Sequence, residues 1–157
     1  MPAMTRRAML IAVLGGLAAC AGGGERERPT RRGGSGLYPN ETPALRRLIE
    51  RHARANDVPV SLVQRVIRRE SSHRPRARNG PYYGLMQIHP QTARTMGYHG
   101  APEGLLDPET NLRYAVRYLR GAWIVADGDP DEAVGWYARG YYYAARDRGL
   151  LEETGLR

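Results

Sequence analysis

Proline-marked helix starts constrain this chain more than any other feature. Thr42-Pro43, Asp107-Pro108 and Asp129-Pro130-Asp131-Glu132 read as N-caps followed by a first turn, and Pro59 and Pro90 open two further segments. A capping oxygen takes a free backbone N–H, and proline lacks the N–H that a first turn leaves unmet. Apolar residues then recur at helical spacing, as Leu45, Leu48, Ile49 and Ala53, and again as Leu112, Ala115, Val116, Leu119 and Trp123. A last helix is expected over 141–148, closed by Gly149. No alternating run of useful length reads as a strand, and no internal repeat is present. The expected fold class is all-α, or mostly α, in a single helical domain.

Within that frame the segment 63–91 carries the chemistry. Val63, Val66 and Ile67 sit at i, i+3 and i+4, and the next position on the same face is Glu70. Burying an ionised carboxylate is costly, so the group protonates or finds partners. Arg68 and Arg69 follow in sequence but belong to other faces of the helix. Two readings follow: a carboxylic acid held protonated near neutral pH, or a helix-end residue that accepts local hydrogen bonds. Ser71, Ser72 and Pro75 end the helix, and Asn79-Gly80-Pro81-Tyr82-Tyr83-Gly84 reads as a turn-rich loop with two aromatics. Leu85-Met86-Gln87-Ile88 then places an amide in an apolar run, where its oxygen and both its hydrogens need partners that a sugar or peptide supplies. A short helix from Pro90 ends at Gly97.

These residues resemble a known family. Glu70-Ser71-Ser72, then Gly84-Leu85-Met86-Gln87-Ile88, then Pro90, Thr92 and Ala93 resemble the signature of the soluble-type lytic transglycosylases, whose domain has a goose-type-lysozyme-like fold. Leu106-Asp107-Pro108-Glu109-Thr110-Asn111 with Tyr118-Leu119, and Glu132-Ala133-Val134-Gly135-Trp136-Tyr137-Ala138-Arg139-Gly140, are similar to two later motifs in the family's order. The resemblance spans about residues 58 to 149. It implies a lysozyme-like fold and cleavage of the bond between N-acetylmuramic acid and N-acetylglucosamine, closing a 1,6-anhydro ring without water. Glu70 would be the sole catalytic group, first acid and then base. Ser71 would orient the acid or the substrate, or else cap the helix end. Gly84, Met86 and Gln87 fall in the signature that lines the sugar groove, although Met86 also suits core packing, and Tyr137 would stand near the carboxylate. A muramidase that hydrolyses the same bond and a non-catalytic peptidoglycan-binding lipoprotein are the alternatives.

Two departures stand out. Ala138 replaces the family's asparagine, and the loop after Glu70 offers Asn79, Tyr82 and Tyr83 in place of a serine-containing pattern. Asn79 is expected to replace that serine, and Tyr82 or Tyr83, with Tyr83 preferred, to stack on a sugar ring.

Residues 1–20 read as an export signal, with Arg6-Arg7 ahead of the apolar run Met9 to Leu17. Leu17-Ala18-Ala19-Cys20 resembles the lipobox, making Cys20 the expected lipid-attachment site, although an ordinary secretory signal with an incidental cysteine fits as well. The segment around Arg6-Arg7 also resembles a twin-arginine motif, so either export route is open. Residues 21–39, rich in Gly, Arg and Glu, read as a flexible tether, and residues 40–157 as the domain. Cys20 is the only cysteine, so no intrachain disulfide forms. The expectation is a monomeric, periplasm-facing lipoprotein of the outer membrane.

The formal net charge is +8, carried entirely by arginine with no lysine. Such a balance suits nucleic acid or an anionic cell wall. The arginines are dispersed rather than striped, and the export signal points away from nucleic acid. Glycosidases commonly pair two carboxylates, yet Asp107, Glu109, Asp129, Asp131 and Glu132 fall at helix N-termini, where capping and the helix dipole account for them. His52, His73, His89 and His99 show no metal-ligand spacing. No cofactor or metal is expected.

Overall fold

The computed structural model describes residues 36–157. The expected signal, Cys20 and most of the tether lie outside the described residues. Gly36 to Pro39, assigned to the tether by composition, are described and make contacts: the Gly36 carbonyl accepts from Arg46, and the Tyr38 ring stacks on His73 at 5.2 Å.

The chain runs α1 (Pro43–Ala55), α2 (Val60–Glu70), the strands β1 (Arg78–Asn79) and β2 (Tyr82–Tyr83), and α3 (Pro90–Thr95). A 3₁₀ turn at Pro102–Leu106 then leads into α4 (Pro108–Val125), α5 (Pro130–Arg139) and α6 (Tyr142–Asp147). The caps fall where the prolines place them. Thr42 accepts from the Leu45 amide, Asp107 from Thr110, and Asp129 from Asp131 and Glu132. The mostly helical fold expected from the sequence is the fold observed.

The long helix α4 is the axis of the core. Leu112, Ala115, Val116, Leu119 and Ala122 are fully buried along it, and α1, α3, α5 and the 3₁₀ turn pack around it. Leu45, Ile49 and Ala53 of α1 and Val63, Val66 and Ile67 of α2 meet in the same cluster. Each large aliphatic side chain so removed from water contributes about 1.5–3 kcal/mol.

The loop expected at 79–84 is instead a hairpin, with Arg78 opposite Tyr83 and Asn79 opposite Tyr82. Two-residue strands are too short to leave a period in the sequence. What makes them is the turn between, where Gly80 takes φ +55° ahead of Pro81. No helix among the described residues is long and apolar enough to cross a membrane.

Candidate active site

Helix α2 ends at Glu70, with Ser71 as its C-cap. The spacing that aims Val63, Val66 and Ile67 inward brings the Glu70 side chain to the edge of the core, where it keeps 24% exposure. Burial raises its pKa, and Arg69 pulls the other way. Arg69 was assigned to another face of α2, yet its flexible guanidinium folds back so that Nε stands 3.5 Å from Glu70 Oε1. At half exposure this pair is screened by water and weak, and burial wins.

Glu70 lines a cleft of about 360 Å³ together with Arg69, Asn79, Tyr82, Gln87, Tyr137 and Ala138. A second lobe of about 250 Å³ shares Tyr82, Gln87, Tyr137 and Ala138 and continues to His89, Tyr118 and Gly140. Through these shared residues the two lobes form one groove between the hairpin and the end of α5. Glu70 is the only carboxylate lining it among the described residues. The other acids are engaged elsewhere: Glu109 with Arg51 and His52, Asp131 with Arg65, Asp127 with Arg148. No cluster of three or more His, Cys, Asp or Glu among the described residues is arranged to hold a metal ion.

The loop from Gly84 to Gln87 turns back on itself. Tyr83 and Ile88 exchange backbone hydrogen bonds at 3.1 Å, and Gln87 adopts φ +47° to close the turn. The fastening comes from within. Asn111, fully buried on α4, donates Nδ2 to the carbonyls of Tyr83 and Leu105, both at 2.8 Å, and accepts from the Met86 amide at 3.0 Å. Gly84 is what permits this approach, since a Cβ there would stand 2.3 Å from Asn111 Nδ2 and 2.4 Å from the Leu105 carbonyl.

This arrangement corrects several of the expected site residues. Tyr83 is only 5% exposed and lines neither lobe, because strand alternation turns it into the core, under the Arg78 guanidinium at 4.6 Å. Its neighbour Tyr82, 45% exposed, faces the groove with Asn79. Met86 is fully buried, so of its two expected uses the core is the one realised. Gly84 is a packing position, buried beside Asn111. Ser71 is 2% exposed, and its hydroxyl faces back to the Ile67 carbonyl at 3.4 Å, the capping alternative. Gln87 does line the groove, but its amide donates to the Gly84 and Ala77 carbonyls at 2.8 and 3.1 Å. Its donors are held by the chain itself rather than by a ligand.

Tyr137 stands in the groove wall and donates its hydroxyl hydrogen to the Met86 carbonyl at 2.9 Å. Burial pushes its pKa well above the ordinary phenol value, and the charge of Glu70 adds to the rise. Of the two histidines flanking the motif, His89 caps α3 and lies edge-on to Tyr82 at 5.7 Å in the second lobe, whereas His73 faces a different cavity. Asn111 was the residue that sequence reading left without a role. Its place behind Asp107-Pro108, at the start of a buried helical face, was the available signal.

Chemically, the groove offers one carboxyl whose environment favours the proton-bearing form, a neutral phenol fixed beside it, and an exposed aromatic at its rim. That set suits acid–base work on an elongated polar chain. Comparison with curated proteins and with solved structures gave no match. The family model described as "Transglycosylase SLT domain" matches residues 47–150, a span that begins within α1 and takes in every residue that lines this groove. The chain therefore belongs to the transglycosylase SLT domain family, whose substrates are the glycan strands of peptidoglycan.

Proposed function

We propose that the protein is a lytic transglycosylase that cuts the β-1,4 bond from N-acetylmuramic acid to N-acetylglucosamine, with Glu70 acting first as acid and then as base. The observation that carries this reading is that Glu70 is the only carboxylate lining the groove among the described residues. Hydrolysis of such bonds ordinarily needs a second carboxylate as nucleophile or to activate water. With one group, the nucleophile has to come from the substrate. Glu70 gives its proton to the bridging oxygen as the bond from C1 breaks. The resulting carboxylate takes the proton of the muramic C6 hydroxyl, whose oxygen closes on C1 as a 1,6-anhydro ring. Atoms balance without water, and Glu70 ends protonated, ready for the next cut. A raised pKa suits both half-reactions, because the same group must hold a proton at the start and recover one at the end.

Mass spectrometry of peptidoglycan digested by the wild type and by Glu70→Gln tests this directly. Anhydro-ended products from the wild type alone support it. Reducing-end products heavier by one water would mean a hydrolase. Binding with no product would mean a wall-binding protein.

The expected anchor at Cys20 belongs to the same reading, as a tethered enzyme facing the periplasm from the outer membrane. Cys20→Ala should then move the protein from the membrane fraction to the soluble one, and an unchanged distribution would sink the anchor.

A further inference from the structure

The hairpin divides two concavities. Asn79 and Tyr82, one cross-strand pair, face the Glu70 cleft, and the neighbouring pair, Arg78 and Tyr83, turns away from it. On that other side Arg78 lines a cavity of about 570 Å³, with His73, Arg74, Pro75 and Arg76 of the loop after α2 and with Asn40. Arginine occupies every second position from 74 to 78, and no carboxylate lines the cavity. None of these three arginines takes part in an ion pair among the described residues. Arg74 uses its Nε on the Ser71 carbonyl at 3.0 Å, and Arg78 lies over the Tyr83 ring, which leaves their terminal nitrogens for a ligand.

His73 adds a second and independent feature. Glu41 accepts from Arg46, so its carboxylate meets the Gln64 side chain through the amide nitrogen, at 2.7 Å. Gln64 Oε1 is then an acceptor, and His73 Nε2, 2.6 Å away, must carry the hydrogen. Burial pushes the His73 pKa down, so the ring is neutral and its Nδ1 is a bare acceptor. That Nδ1 is buried without a partner among the described residues, on a ring only 1% exposed in the cavity wall. A buried acceptor left unmet is destabilising, and a donor brought to it would relieve that cost.

We infer that this cavity takes the acidic peptide carried by the glycan strand, its carboxylate held by Arg74, Arg76 and Arg78 and a peptide N–H turned toward His73. The inference rests on the reading of the cleft as a peptidoglycan site. Guanidinium forks match a carboxylate in two parallel hydrogen bonds. Of the anions that arginines attract, a peptide brings an N–H beside its carboxylate, and a phosphatidylglycerol headgroup does not. Arg78 and Asn79 are consecutive, so the arginine cavity and the Glu70 cleft lie on the two sides of one short strand.

The test uses the full chain carrying Glu70→Gln, to prevent turnover. Fluorescence anisotropy would follow a labelled N-acetylmuramyl peptide with free carboxylates, the same probe amidated, and phosphatidylglycerol vesicles. Arg74→Gln/Arg76→Gln should weaken the carboxylate probe about tenfold or more. The amidated probe should bind weakly with or without these arginines. Arg76→Gln alone, whose side chain makes no hydrogen bond among the described residues, should show the same direction if the double variant folds poorly. Equal binding of both probes, indifference to the arginines, or arginine-dependent binding of vesicles instead of peptide would each overturn the inference. Wild-type turnover of peptide-free glycan reports on the catalytic reading by itself. Its absence beside arginine-dependent peptide binding would remove that reading and leave the peptide site standing.

Discussion

Tyr137 Oη and the Met86 carbonyl oxygen are 2.9 Å apart, a hydrogen bond that ties the end of α5 to the loop carrying Gln87. The two walls of the groove are joined there, across 51 residues of sequence. The phenol is held neutral by burial and by Glu70, so it remains a donor throughout the working pH range.

Tyr137→Phe should therefore affect both stability and rate. Removing the hydroxyl leaves the Met86 carbonyl unmet, which costs about 1–3 kcal/mol. Looser walls misplace the substrate against Glu70, and turnover should fall about tenfold, equivalent to ~1.4 kcal/mol of positioning. Differential scanning calorimetry and product release measured on one preparation check the pair. A variant with unchanged melting and rate would show that the bond does no positioning.

The Asn111 and Gly84 pair should be the least tolerant point of the domain. Asn111→Ala removes three hydrogen bonds to buried backbone groups, and a loss of about 3 kcal/mol or more is expected. Gly84→Ala adds a Cβ where neither Asn111 nor the Leu105 carbonyl can retreat, at a backbone angle of φ +75°. Urea denaturation of each variant measures the loss. A Gly84→Ala protein as stable as the wild type would mean that the loop has another packing available.

These two residues also show what was legible beforehand. Helix starts were readable because capping chemistry is local: Thr42, Asp107 and Asp129 act within three residues of themselves. The placement of Glu70 at the core's edge followed from spacing along one helix. The direction of Tyr82 and Tyr83 did not, because it depends on which face of a two-residue strand meets α4, a contact made across distant sequence. The role of Asn111 was not legible for the same reason, its partners lying 6 to 28 residues away. Local rules exposed the scaffold and the acid. The rims and fastenings needed the tertiary contacts.

Tyr82→Ala and Tyr83→Ala should separate binding from folding. Tyr82 is exposed at the rim of both lobes, so its loss should weaken glycan binding, with KM rising several-fold and melting unchanged. Tyr83 is buried under Arg78, so its loss should cost about 3–5 kcal/mol. Isothermal titration with a glycan oligomer, run beside thermal melts, distinguishes them. If Tyr83→Ala weakened binding at full stability, the assignment of the two rings would be reversed.

Glu41 should set part of the acid limit of folding. Burial by itself would raise its pKa, but Arg46, the Tyr38 amide and Gln64 all donate to the carboxylate and hold it at about 2. A pKa lowered by folding gives stability that is fully present above the unfolded value, about 4.3. That stability is lost as pH falls from there through about 2. Glu41→Gln should thus be less stable than the wild type at pH 7, with the gap closing across that window. Denaturation midpoints at a series of acid pH values would show it. A gap independent of pH would assign the loss to packing rather than to charge.

Glu70 should behave in the opposite sense. Its pKa is raised by burial against the pull of Arg69, so the folded state holds the proton more tightly than the unfolded chain. Between the ordinary glutamate value and the raised one, the folded protein binds more protons, and stability falls as pH rises through that interval. Ionising this carboxylate therefore costs the fold stability. Glu70→Gln, which removes the charge but keeps the shape, should melt higher than the wild type at pH 7. The difference should vanish below the ordinary carboxylate range, where both side chains are neutral. The same substitution should abolish product formation at every pH. Melting curves from pH 3 to 8 for both proteins decide the matter. A Glu70→Gln protein less stable at pH 7 would mean that the pairing with Arg69 outweighs burial and that folding lowers the Glu70 pKa rather than raising it.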